Sequence, residues 1–258
     1  SSDVCSSDLL SNICLSASTS IAGMSVAFPV GCGLALVLGV INNLRVEMSQ
    51  GALKSNLTLL AIGVALVVVA VILNGIASGK KAGNAEISKA DQRKGIILAV
   101  VAGVVMSFFS SFVMKAMDLK DFANMEPGKV GPYTAIVVFS LAVLVSHFVF
   151  GPIFMKWPFQ GAPVKMSEYF KGNSKTHLVG MLGGCIWCLG TALSYIAAGK
   201  AGASVSYALG QGAPMVAAIW GVFVWKEFKG SNKTVYNLLG MMFLFFIVGL
   251  GMIVAAGM

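Results

Sequence analysis

Charge is what this sequence has least of. Only 11% of its 258 residues are Asp, Glu, Lys or Arg, whereas 57% are hydrophobic. A soluble globular domain carries about a quarter charged residues, so this composition excludes one and indicates a polytopic membrane protein. The acids are especially sparse. Asp3, Asp8, Glu47, Glu86, Asp91, Asp118, Asp121, Glu126, Glu168 and Glu227 make up the whole set, and none falls in the middle of an apolar segment. Exchange of a cationic drug for a proton on a membrane carboxylate therefore has no support. No Lys or Arg lies deep in such a segment either, which argues against phosphorylated substrates. A neutral substrate fits best, because an intramembrane charge costs at least a few kcal/mol and is kept where function needs it. The opening SSDVCSSDL has neither a base nor an apolar run, so it is no secretory signal.

The net charge of +8 would suggest nucleic acid in a soluble chain. Here the Lys and Arg lie between apolar segments and report topology, so no nucleic-acid partner is expected. Windows of about 20 apolar residues mark membrane spans. Eight are expected, over 9–24, 25–43, 57–78, 95–117, 132–155, 177–198, 203–225 and 234–257, with 80–94 a solvated linker. The connections after 78, 155 and 225 hold twelve Lys and Arg, and those on the opposite side hold six. The positive-inside rule then places the linker in the cytoplasm.

An internal repeat organises the chain. AGMSVAFPVGCGLALV (22–37) matches AGASVSYALGQGAPMV (201–216) without gaps, identical at Ala, Gly, Ser, Val, Gly, Gly and Val. An odd number of spans separates Ser25 from Ser204, so the two copies run in opposite directions across the membrane. Such inverted repeats suit alternation between two open states. The second copy, 95–258, has five spans and the first, 10–79, has three. Residues 1–9 are expected to be a translated sequencing adapter, because Asp-Val-Cys-Ser-Ser-Asp-Leu back-translates to a string resembling one. On that reading the first half is N-terminally truncated, and residues 1–9 make no specific contact with the helices.

Polar groups inside spans carry the candidate site. Ser204, Tyr207 and Gln211 share one helical face, as do Trp187, Thr191 and Tyr195. The repeat offset sets Asn12 against Thr191, Ser16 against Tyr195 and Cys32 against Gln211. Gln211 both donates and accepts hydrogen bonds, and Trp187 or Tyr207 can stack on a flat ring. The same residues could equally be hydrogen-bonding glue between helices. His147, on a face with Tyr133 and Ser140, is a candidate proton relay. Ser107, Ser110 and Ser111 are expected to satisfy carbonyls of their own helix. Cys185 and Cys188 form a CxxC in an apolar, Gly-rich helix without a second ligand pair, which reads as packing rather than metal or redox chemistry.

Two inverted five-helix halves resemble the drug/metabolite transporter superfamily. Within it, SASTSIAGMSVAFPVGCGLALVLGVINN (16–43) resembles the ureide permease-like branch. The resemblance implies a multi-pass permease of a bacterial cytoplasmic membrane, working without catalysis or cofactor. It implies a ureide or nucleobase-like heterocycle as substrate, with protons or sodium as candidate coupling ions. GIASGKKAG (75–83) lacks the GxxxxGK[ST] spacing that cradles phosphates, so no ATP is expected. A sugar permease of the same superfamily is the nearest alternative. A non-transporting scaffold or sensor is the alternative of another class, and it predicts no polar cavity between the halves.

Overall fold

A computed structural model describes residues 2–82, 89–159, 161–226 and 228–258. Helices account for nearly all of the regular structure. They are α1 (Ser2–Ala22), α2 (Met24–Gln50), α3 (Leu57–Ala82), α4 (Lys89–Ala116), α5 (Pro132–Lys156), α6 (Met166–Phe170), α7 (Ser174–Ala201), α8 (Ala203–Gly210), α9 (Ala213–Ile219) and α10 (Lys233–Ala256). A π-helical turn, Trp220–Val224, continues α9. Among the described residues, seven stretches are long and apolar enough to cross a membrane: most of α2 and α4, α3, α5, α7, α10, and the run from Ala203 to Val224. The chain is an all-helical, multi-pass membrane protein. The expected span over 9–24 is helical, but as α1 it is not one of the seven. It is the most serine-rich of the helices, and Ser11 and Thr19 turn their hydroxyls back onto the carbonyls of Asp8 and Ser16. The expected linker is also shorter, since α3 runs to Ala82 and α4 begins at Lys89.

Local chemistry sets the helix ends. Asparagine begins three of them by accepting backbone N–H groups that the first turn leaves unpaired. Asn56 takes those of Thr58 and Leu59, Asn173 that of Lys175, and Asn232 that of Val235. Helix α5 starts on Pro132, whose missing N–H costs nothing at that position. Gly51 closes α2 in the left-handed region at φ 63°, with its N–H on the carbonyls of Glu47 and Met48.

The repeat found in the sequence has a backbone counterpart. A single glycine joins α1 to α2 and another joins α7 to α8. Gly23 has φ 80° and ψ 160°, and Gly202 has φ 90° and ψ 155°. Both follow a helix that ends on the matched alanine, Ala22 or Ala201. An L side chain rarely adopts this conformation, so glycine is required at both junctions.

Close helix crossings hold the bundle together. A Cβ on Gly63 would lie 2.8 Å from the carbonyl of Gly249, and one on Gly249 would lie 2.9 Å from that of Gly63, so α3 and α10 meet backbone to backbone. A Cβ on Gly103 would lie 2.6 Å from the carbonyl of Gly31, which brings α4 equally close to α2. Small residues permit this contact in lipid, where packing rather than water expulsion drives association. By contrast α5 and α7 turn large apolar side chains outward, among them Val145, Phe148, Leu178 and Met181. Such a surface would aggregate in water and is at home in hydrocarbon.

Gly39 is among the tightest of these contacts to a side chain. A Cβ there would sit 2.2 Å from the ring of Tyr207 on α8, whereas one on Gly33, in the same helix, meets nothing within 4 Å. We predict that Gly39→Ala lowers stability by about 1–3 kcal/mol, the usual cost of overpacking. Gly33→Ala should leave it nearly unchanged. Thermal melts of the two variants in detergent measure the difference.

Candidate functional site

A cavity of about 420 Å³ opens between α1, α2 and α4 on one side and α7, α8 and α9 on the other. Its wall includes Asn12, Cys32, Phe109, Ser110, Trp187, Thr191, Ser194, Tyr195, Tyr207, Gln211 and Pro214. Six of the eight residues expected at a binding site therefore meet there: Gln211, Tyr207, Trp187, Thr191, Tyr195 and Asn12. Cys32 and Gln211, matched by the repeat, both reach the wall.

The helix that carries Gln211 is broken beside the cavity. α8 ends at Gly210, and α9 begins at Ala213 with Pro214 in its first turn. Pro214 has no N–H to give to the preceding turn, and Gly210 and Gly212 flank the break. The N–H groups of Gln211 and Gly212 bond back to Ala208 and Leu209 at 3.2 and 2.9 Å. Irregular backbone inside a membrane protein is tolerated where it lines a cavity. In the matched stretch of α2, Pro29 lies six residues further from the corresponding place, and that helix runs through without a break.

The members of the wall differ in how much each is free to do. Tyr207 is buried, and its hydroxyl donates to the Ala35 carbonyl of α2 at 2.9 Å. It lines the cavity, and its hydroxyl ties the two sides together. Thr191 donates to the carbonyl of Trp187 one turn back, at 3.0 Å. Trp187 is half exposed, with its ring centroid 5.9 Å from that of Phe139. Gln211 is partly buried at the break.

Three expected positions lie elsewhere. Ser204 is fully buried outside the cavity, donating from its N–H and its hydroxyl to Glu47 Oε1 at 2.5 and 2.7 Å. Ser16 lies one turn beyond Asn12 in a second, shallower pocket with Ser20, Phe154 and Phe159. His147 is exposed on α5 beside Gly151 and does not reach the cavity. Spacing put these residues on the right helices, but helix rotation and depth decided which of them reach the cavity. The three serines of α4 divide. Ser107 and Ser111 donate to the carbonyls of Val104 and Phe108, as expected, whereas Ser110 joins the wall. Cys188 lies 3.8 Å from Ser140, and both it and Cys185 are free thiols.

Two acids were missed. Asp8, expected to make no contact, is buried, accepts from Asn12 at 3.2 Å and lines the cavity. Glu47 was read as lying beyond the end of a span. α2 in fact continues to Gln50, and Glu47 is completely buried. The left-handed stop at Gly51, four residues further on, was the signal that could have extended the helix.

The end of the bundle around Glu47 is closed by further bonds. Gln50 donates to the Met114 carbonyl and accepts from the N–H of Leu119. Lys54 donates to the carbonyls of Leu119 and Gly199. At the other end Lys94 reaches the Phe159 carbonyl, and Lys80 shares a surface pocket with Lys229. The two sets of bases counted in the sequence thus gather at opposite ends. The second pocket, sharing Asn12 with the main cavity, leads from it toward Phe159 and the base-rich end.

These features define a multi-pass membrane protein with a largely apolar cavity, set with amide and hydroxyl groups, beside a broken helix. By its sequence the chain belongs to the ureide permease family, whose model matches residues 84–256. The match covers α4 to α10 rather than the 16–43 stretch on which the resemblance was first seen. It is 27% identical to Ureide permease 1 of Arabidopsis thaliana over 163 residues, 63% of this chain and 42% of that protein. Ureide permeases 2 and 4 of the same plant are each 24% identical over the same share of this chain, which covers 41% and 40% of them. The chain thus spans about two fifths of the length of these relatives. The family names denote transporters, not enzymes. No solved structure matches. The relatives are from a plant, so they lend no support to a bacterial membrane.

Asp118 organises the loop at the closed end. Its carboxylate accepts from the backbone N–H groups of Glu126, Lys120 and Asp121 at 2.8, 3.0 and 3.4 Å. The Glu126 bond, first among these, holds it below the ordinary aspartate range. A depressed folded value gives stability that is present above the unfolded pKa, near 3.9, and is lost as pH falls through the folded one. The 118–131 loop should therefore become open to pepsin only below about pH 4. Asp118→Asn should remove that threshold, giving rapid cleavage throughout the range in which pepsin acts.

Proposed function

We propose that this protein is a secondary permease for a small, neutral, polar ureide or nucleobase-like heterocycle. It works by alternating access between two inverted half-repeats of a drug/metabolite transporter fold, 10–79 and 95–258. The observation that carries the reading is the cavity: amide, hydroxyl and aromatic groups converge on it, and among the described residues no Lys or Arg lines it. A flat ring bearing N–H and C=O groups needs this mixture. Gln211 answers both kinds of group, and the half-exposed Trp187 offers a stacking face. The family membership and the word ureide in the relatives' names support the substrate class. The bonds around Glu47 close one end, and the pocket through Asn12 and Ser16 leads toward the base-rich end. With that end cytoplasmic, a pocket open toward it is what an inward-facing state would have. The amide and hydroxyl groups on the wall also favour a transporter over a scaffold or sensor.

Asp8 favours a second reading, transport of a cation, because a cavity carboxylate would attract one. It lies in the segment read as translated adapter, and its Oδ1 already accepts from Asn12. Uptake of labelled allantoin, uracil, a hexose and a quaternary ammonium cation by cells expressing the full chain separates the readings. The heterocycles should accumulate and the other two should not. Accumulation of the cation alone would establish the second reading, and accumulation of the hexose alone would establish a sugar permease.

Within the cavity the two repeat-matched positions should behave unequally. Gln211→Leu removes a donor and an acceptor from the wall, and Cys32→Ala removes neither to any extent. We expect Gln211→Leu to raise the KM for the heterocycle roughly two- to tenfold, the equivalent of one lost hydrogen bond. Cys32→Ala should leave it near the native value. Both proteins should reach the membrane, checked by surface labelling.

A further inference from the structure

Glu47 has no part in the cavity, yet it is the most deeply placed acid in the described protein, 0% exposed at the contact between α2 and α8. One oxygen, Oε1, is satisfied by the N–H and hydroxyl of Ser204. The other, Oε2, is buried without a hydrogen-bond partner. One helical turn earlier on the same face stands Asn43, also 0% exposed. Its Nδ2 donates to the Gly39 carbonyl at 2.8 Å, and because a carbonyl only accepts, that bond fixes which way the amide points. Asn43 Oδ1 is then left buried and unpartnered as well. Two orphan acceptors one turn apart are a costly arrangement, on the order of 1–3 kcal/mol each or more for a charged group. A single proton on Oε2, donated to Asn43 Oδ1, would satisfy both.

We propose that Glu47 is the proton-exchanging residue of the transport cycle, with Asn43 as the acceptor that holds the loaded proton. The site has a partner for each of its two forms. When ionised, the carboxylate faces the N-terminus of α8, where the Ser204 N–H and hydroxyl bond to Oε1 and the Ala203 N–H also points to the carboxylate, all favouring negative charge. When neutral, its O–H needs an acceptor, and Asn43 Oδ1, one turn earlier on the same face of α2, is the buried one left without a partner. A group that must load and release a proton in every cycle needs both. Loading joins a proton to Oε2 and releasing returns it to water, with no other bond made or broken.

The surrounding charges leave this balance open. Lys54, on the α2–α3 connection, is the charged side chain that acts on Glu47, and its ammonium is occupied by the carbonyls of Leu119 and Gly199. Arg45 on α2 and Lys200 on α7 are exposed. On α4 and the loop after it, the exposed Lys115 has its own carbonyl bonded by Lys129, and Asp118 is held by backbone N–H groups. On α8 the nearest titratable group is Tyr207, whose hydroxyl is committed to Ala35.

Position turns the proton into a gate. Ser204, which Glu47 holds, lies one turn before Tyr207 and two before Gln211 on the same helix. Loss of the proton leaves a buried ion with one unpaired oxygen, and that favours parting of α2 from α8 and entry of water at the closed end. The cavity wall on α8 moves with it. Proton release and opening of that end become one event.

This gating role rests on the permease reading above, so the test has an arm that needs no substrate. In infrared difference spectra of the reconstituted chain, a pH jump should produce a protonated-carboxyl band that shifts in D₂O and is absent in Glu47→Gln. Asn43→Leu, which removes the acceptor, should move the band to higher frequency. In vesicles loaded with allantoin, Glu47→Gln should keep substrate exchange but lose accumulation driven by a pH gradient. Glu47→Gln retains an oxygen for Ser204, and size-exclusion and melting profiles matching the native chain would show that it folds. Absence of the band from the native spectra would overturn the proposal even if allantoin is transported. So would native gradient-driven uptake by Glu47→Gln, or a band that responds to sodium in place of protons. Failure of allantoin to exchange in native vesicles, with the Glu47 band present, would count against the substrate reading and not against the carboxyl site.

Discussion

The contact between α2 and α8 is what the rest of the structure depends on. The ring of Tyr207 packs against Gly39 and its hydroxyl donates to Ala35, and Glu47 accepts from the N–H and hydroxyl of Ser204 at the start of α8. Shape and buried hydrogen bonds act together along little more than one turn of α8. In hydrocarbon none of these groups has water to fall back on, so each must be met by protein. That requirement fixes the depth and rotation of α8. These in turn decide that Tyr207 and Gln211 face the cavity and that Ser204 does not.

Much of this was legible in the sequence. The spans over 25–43, 57–78, 95–117, 132–155, 177–198 and 234–257 fall within α2, α3, α4, α5, α7 and α10, or within a residue or two of their ends. Hydropathy works well here because a hydrocarbon slab imposes a length on every helix that crosses it. The repeat was legible too, and it told more than expected: matching Ala-Gly pairs at 22–23 and 201–202 turn the chain in the same way. Helical spacing also brought six of eight candidate residues to one cavity, since residues sharing a face of one helix point the same way.

What was not legible has physical causes. Periodicity fixes which residues share a face but not how deep that face sits, so Ser16 and His147 look equivalent to Asn12 and Tyr195 until the helices are packed. Glu47 was lost because Arg45 and Glu47 depress the hydropathy of the last turns of α2, although the helix continues through them. The break at Gly210 to Gly212 was only half visible. Pro29 and Pro214 gave similar signals, yet only the second interrupts its helix, because it follows a Gly-Gln-Gly and the first does not.

The one-residue junctions have a mechanical meaning. A loop of several residues is a slack cord: the helices at its two ends can tilt independently. Gly23 and Gly202 leave no such slack, since each is both the last residue of one turn and the cap of the next helix. Each pair, α1 with α2 and α7 with α8, therefore behaves as a bent rod hinged at one point. A tilt of α7 in the bilayer is delivered to α8 undiminished, and through α8 to the wall around Gln211. The lipid-facing α7 is in this sense a handle on the interior: with one residue at the bend, the start of α8 has no slack to stay behind.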